Sequence, residues 1–129
     1  MARKRIRTAL ALGGAGVATA LVLAGSASAW AGQITVRNIN VQPGGQQCAT
    51  AAATTSFAAV GSAQSPGLRF KLLDQSGNVI TSTSGPVTGY APYIYPGAPG
   101  WEGPQDYTVC AKNTGTQAVL LNYLTVQGN

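Results

Sequence analysis

Beyond residue 29 the chain contains no stretch with an apolar stripe of period 3.6. It offers instead short runs that alternate with period 2, and that pattern confines the fold to strands. Residues 33–41, QITVRNINV, set Ile34 and Val36 against Thr35 and Arg37. Residues 68–75, LRFKLLDQ, set Leu68, Phe70 and Leu72 against Arg69 and Lys71. Ser76-Gly77-Asn78 then turns the chain and 79–84 returns it, the pattern of a β-hairpin. Asp74-x-Ser76-x-Asn78 has the opening ligands of a calcium loop but lacks the remaining oxygens and the closing Glu, so it reads as a turn. Residues 48–60, CATAAATTSFAAV, read as one long strand or two short ones, because their Thr and Phe residues favour a pleated surface. A second hairpin is expected from 106–112, through Asn113-Thr114-Gly115, to 117–127. In its return arm Val119, Leu121 and Tyr123 share one parity, and Leu120, Leu124 and Val126 the other. Apolar residues on both parities predict a strand covered, at least in part, on both sides.

The first 29 residues have a different character. Arg3, Lys4, Arg5 and Arg7 precede an apolar run over 9–24, and Ala27 and Ala29 follow in small-x-small spacing. That is the layout of a helical secretory signal peptide over 1–29, leaving a single β-sandwich domain over 30–129. Cleavage leaves no stable membrane anchor, and Ser26 stands where a lipoprotein would carry Cys. The expected location is therefore secreted, extracellular. The formal charge of +5 belongs mostly to this leader. Beyond it Arg37, Arg69, Lys71 and Lys112 face Asp74, Glu102 and Asp106, a net of about +1. No basic stripe runs along the sequence, so nucleic acid is not expected as a partner. Cys48 and Cys110 are the only two cysteines. In an exported chain they predict one disulfide closing a loop of about 60 residues.

Tyr107-Thr108-Val109-Cys110 resembles the late strand of immunoglobulin-like domains, and the cysteine separation is similar to theirs. Here Tyr107 stands three residues before Cys110, not two. In a strand that offset puts the two side chains on opposite faces. The resemblance implies a sandwich without membership of that family. The expected fold is all-β: a small antiparallel β-sandwich, Ig-like or jelly-roll-like, of about six to eight strands with one disulfide.

Absences narrow the chemistry. The chain has no His, which removes Ser-His-Asp and Cys-His arrangements and the usual zinc ligands. Paired cysteines leave no thiolate, and no phosphate-cradling glycine motif is present. No cofactor or metal is expected. Glu102 and Asp106 form the one carboxylate pair that could suggest a glycosidase; they read more simply as loop charges, and the chain is expected not to be an enzyme.

One segment remains distinctive. Residues 85–107, GPVTGYAPYIYPGAPGWEGPQDY, hold five of nine aromatics and five of seven prolines. Proline stiffening lowers the entropy lost on binding, and flat rings offer stacking faces. Tyr90, Tyr93, Tyr95 and Trp101 are the candidate ligand-binding residues, for a surface polysaccharide or a protein. The same rings could instead plug the open end of a small sandwich. The expected role is a small exported binding module; the alternatives are a secreted inhibitor of a hydrolase and a structural cell-envelope protein. The sequence leaves the oligomeric state open.

Overall fold

A computed structural model describes residues 32–129. The expected signal peptide lies outside the described residues, as does Trp30. Among the described residues nine strands form: β1 (Gly32–Val41), β2 (Gln46–Ala53), β3 (Phe57–Ala63), β4 (Arg69–Leu73), β5 (Val79–Ser82), β6 (Gly89–Tyr90), β7 (Tyr93–Ile94), β8 (Gln105–Lys112) and β9 (Val119–Gly128). All pairings are antiparallel, and no helix occurs among the described residues.

The pairings nest inside one another. β4 pairs with β5 across the 74–78 turn, β3 with β6 and β7, β2 with β8, and β1 with β9. The described residues thus form one long antiparallel double strand, rolled so that β9 also meets β3 and β8 also meets β4. Rolling yields two sheets, β1-β9-β3-β6 with β7 also on β3, and β2-β8-β4-β5. This is the strand order of a jelly roll, which settles the choice between the two kinds of sandwich.

One open sequence reading resolves to two strands, and one expectation changes. Residues 48–60 divide into β2 and β3, which lie in different sheets. The corner at 54–56 is held by three backbone N–H groups, of Thr54, Thr55 and Ser56, that donate to the Asn129 carbonyl oxygen. The second hairpin does not form, because β8 and β9 also belong to different sheets. Its cause is Asn113, which is 1% exposed. Asn113 Nδ2 donates to the carbonyls of Val41 and Gln117, at 2.8 and 2.7 Å, and Oδ1 accepts from Gly115 N. Its backbone N–H and carbonyl bind the Gly44–Gly45 turn, so the chain is carried over to the other sheet.

The mixed parity of β9 has a local origin. Asn122 is an extra residue relative to β3, where the register shifts between Ser62 and Ala63. Opposite it on β1, Asn38 takes φ 54°, a left-handed conformation that Asn tolerates better than most residues. Both strands reset together and their mutual register continues unbroken. Val119, Leu121, Leu124 and Val126 therefore all reach the core despite their mixed parity.

The core lies between the sheets around Phe57, Leu68, Phe70, Leu72, Tyr107, Val109, Leu121 and Leu124, each fully buried. Each such side chain contributes about 1.5–3 kcal/mol relative to exposure. The Cys48–Cys110 disulfide forms, but within one sheet. Cys48 and Cys110 are direct register partners on β2 and β8, with Cα atoms 4.0 Å apart. An immunoglobulin-type bond would cross between sheets. Tyr107 faces the core while the disulfide lies on the outer side, as the three-residue offset requires.

Candidate functional site

The Pro/Gly/aromatic segment is not a free loop. β6 and β7 add it to the edge of β3, and further backbone bonds lace it down. Ala59 N donates to Pro92 O, Ala63 N to Thr88 O, and Leu68 and Val87 exchange both of theirs. Once 87–94 lies against β3, alternation decides where each ring goes.

Ile94 pairs with Phe57 and is buried, so its neighbour Tyr93, opposite Ala58, faces outward. Tyr93 is 62% exposed and Tyr95 45% exposed, and their rings lie 5.1 Å apart with planes tilted by 42°. Tyr90 takes the other side. It pairs with buried Gly61 and stacks on Phe70 at 5.3 Å. A Cβ on Gly61 would come within 2.5 Å of the Phe70 ring, so the absence of a side chain there makes room for the stack. Burial pushes the Tyr90 phenol above its ordinary value. Trp101 is half-buried and packs against Tyr107, which packs in turn against Phe57, with centroids 5.6 and 5.4 Å apart. The four candidate aromatics thus divide two and two: Tyr90 and Trp101 close the core, while Tyr93 and Tyr95 face solvent.

The outward pair belongs to a larger flat surface. On the outer side of the same sheet lie Ala58 and Gln127, then Val60 and Thr125, then Ser62 and Tyr123, in successive cross-strand rows. Val60 is 44% exposed, and the hydroxyls of Thr125 and Thr35 are hydrogen-bonded at 3.0 Å. By strand geometry Tyr93 and Tyr123 stand on the order of 16 Å apart across this face. Sequence reasoning missed Tyr123, whose sidedness depends on the reset at Asn122, and Val60, whose outward side follows from the alternation of β3 once Phe57 faces inward.

The end of the segment is pinned to the β4–β5 turn. Gln105 Nε2 donates to Glu102 O, Gln75 N donates to Gln105 Oε1, and Asp106 N donates to Gln75 Oε1. Asp74 Oδ1 accepts from the backbone N–H groups of Ser76 and Asn78, which bears out the turn reading of that motif. The Asn78 N–H holds the Asp74 carboxyl below its ordinary 3.8. A hydrogen bond to Asp74 is the main cause holding the exposed Glu102 above its ordinary 4.5, and slight desolvation and the Asp74 charge add to it. Glu102 is therefore tied to Asp74 across the turn. No group of three or more potential metal-binding side chains occurs among the described residues.

No protein-family model matches the chain, and no curated protein matches it. Solved structures resemble it in fold. One is the CBM36-1 domain of a multidomain xylanase from the hindgut metagenome of Trinervitermes trinervoides, at 13% identity and TM-score 0.41, covering 75% of this chain and 98% of that domain. Another is a family GH115 4-O-methyl-α-glucuronidase with specificity for decorated arabinogalactans, at 12% identity and TM-score 0.45, over 87% of this chain. A third is the enzymatically active domain of bacteriophage CBA120 tailspike protein 4, at 13% identity and TM-score 0.38, over 76% of this chain. The chain spans 19% and 18% of the last two. At such identities and TM-scores the likeness carries nothing over to this chain.

Proposed function

We propose that the protein is an exported, non-enzymatic binding module that holds a polysaccharide chain against the outer face of the five-stranded sheet. The observation that supports this reading is the exposed Tyr93–Tyr95 pair. Two large rings in mutual contact stand in solvent, on and just past the edge strand β7, a segment fixed by backbone hydrogen bonds. Burying them in the core was open to the chain, as Tyr90 and Trp101 demonstrate. Rigid aromatic faces bind with little loss of conformational freedom. The rest of the face suits a sugar chain, because Thr125 and Gln127 supply hydroxyl and amide groups beside Val60, and Tyr123 ends the surface several sugar rings away.

Calorimetric titration with soluble neutral polysaccharides (xylan, mixed-linkage glucan, dextran) tests the reading. At least one is expected to bind, and Tyr93→Ala is expected to weaken it tenfold or more, as loss of an aromatic hot spot does. Because Tyr93 is largely exposed, the variant keeps the wild-type melting temperature. Inhibition of a hydrolase without binding to any glycan would replace this reading with that of an inhibitor. Self-assembly without ligand would replace it with that of an envelope protein.

A further inference from the structure

The four cations of the described chain are spread over the sequence, yet the fold gathers three of them. On the outer face of the four-stranded sheet Arg69 and Lys112 are direct cross-strand partners. Lys71 lies two residues along β4, on the same face, between Cys110 and Ser82. Arg37 alone is elsewhere, on β1 in the other sheet. The acidic residues sit at the opposite end of the face. Asp74 follows the far end of β4, Asp106 lies six positions from Lys112 on β8, and Glu102 is bonded to Asp74. At strand rise, Asp106 and Lys112 are about 20 Å apart, beyond a Debye length at physiological salt.

Like charges placed directly opposite in an antiparallel pair destabilise it. A chain with so few charges has no compositional need for this arrangement. The cations also surround a hollow. Arg69, Lys71, Val79, Ser82, Lys112 and Thr114 line a depression of about 310 Å³. Arg69 Nε donates to the Thr83 carbonyl at 3.0 Å, which fixes the guanidinium at the rim, and the hydroxyls of Ser82 and Thr114 add neutral donors.

We propose that this depression is an anion subsite that takes the charged group of an acidic polysaccharide, a carboxylate or a sulfate ester. Three cations and two hydroxyls around one small hollow match a single anionic group and its neighbouring sugar hydroxyls. They do not match a nucleic acid, which needs a longer run of phosphate contacts or rings for base stacking, and the aromatics of the domain are in its core or on the other sheet. The subsite lies on the opposite face of the sandwich from the tyrosines, so the two readings stand or fall separately.

The test compares polygalacturonate, dextran sulfate, uncharged dextran and single-stranded DNA by calorimetry at low and high salt. Polygalacturonate or dextran sulfate is expected to bind at low salt, weakening as salt rises, and whichever binds tighter identifies the anionic group. Lys71→Gln with Lys112→Gln is expected to cut that affinity tenfold or more, while Arg37→Gln leaves it unchanged. The double variant should melt no lower than wild type, since it removes the repulsion with Arg69. Equal binding of uncharged dextran, tighter binding of DNA, no binding of either acidic polymer, or equal loss in Arg37→Gln would each overturn the proposal.

Discussion

Tyr107 does the work of several residues. Its ring links Phe57 to Trp101, and its hydroxyl donates to the Gly103 carbonyl at 2.7 Å while accepting from Glu102 N at 3.0 Å. One fully buried side chain thereby ties the aromatic segment to the core. Tyr107→Phe keeps the ring and strips both part-buried bonds. The expected cost is about 0.5–1.5 kcal/mol in urea unfolding. Trp101 emission should shift to the red as its cover loosens, with the far-UV spectrum unchanged. An unshifted emission maximum would mean that packing alone holds the indole. Much of this residue was legible from sequence. Its offset from Cys110 placed the two on opposite faces, and the fold keeps them there. Its hydroxyl bonds were not legible, because they depend on where the Gly-rich turn before β8 brings its backbone.

At the scale of elements, the β4–β5 hairpin and β1 were readable because alternation and turn chemistry agreed locally. The β8–β9 hairpin was misread for the same reason in reverse. Asn113-Thr114-Gly115 looks like a turn, but the side chain of Asn113 binds Val41, 72 positions away, and no local rule carries that information. The two-and-two division of the aromatics was also hidden, since it needs the register of β6 and β7 on β3. Arg69 and Lys71 share a parity visible in the sequence, whereas Lys112 joins them only through the β4–β8 pairing. The tie between Asp74 and Glu102 is likewise a product of two elements meeting, and its titration checks it. Asp74 is expected to titrate below 3.8 and Glu102 above 4.5 in carbon-detected NMR. The lowered Asp74 contributes stability above its unfolded-state value, lost as pH falls through its folded one. The raised Glu102 contributes below its unfolded-state value, lost as pH rises through its folded one. The segment is therefore best pinned in the window where Asp74 is ionised and Glu102 still carries its proton. In Asp74→Asn the Glu102 midpoint should fall back toward 4.5; a midpoint that stays raised would show that Asp74 does not cause the shift.

The domain formed by the described residues is a rolled double strand, and its outermost pairing is the hardest to form. Val36 meets Leu124 across most of the domain, a closure of about 88 residues. The disulfide sits one level further in, on the β2–β8 pair, with a sequence separation of 62. With that bond present, the path from Val36 to Leu124 shortens to about 26 links, and the closure entropy falls by about 1 kcal/mol. An in-sheet bond therefore acts on topology more than on the contact it bridges, since β2 and β8 are already joined by a full ladder and by the Thr50–Thr108 hydroxyl bond. Replacing both Cys48 and Cys110 by Ala is expected to lower the unfolding free energy by about 4 kcal/mol on the chain-entropy model. It should also slow folding about sixfold if β1 and β9 meet in the transition state. Stopped-flow refolding of the oxidised protein and the double variant separates the two effects. An unchanged folding rate beside a loss of about 4 kcal/mol would place the β1–β9 pairing after the barrier, with the whole cost appearing as faster unfolding.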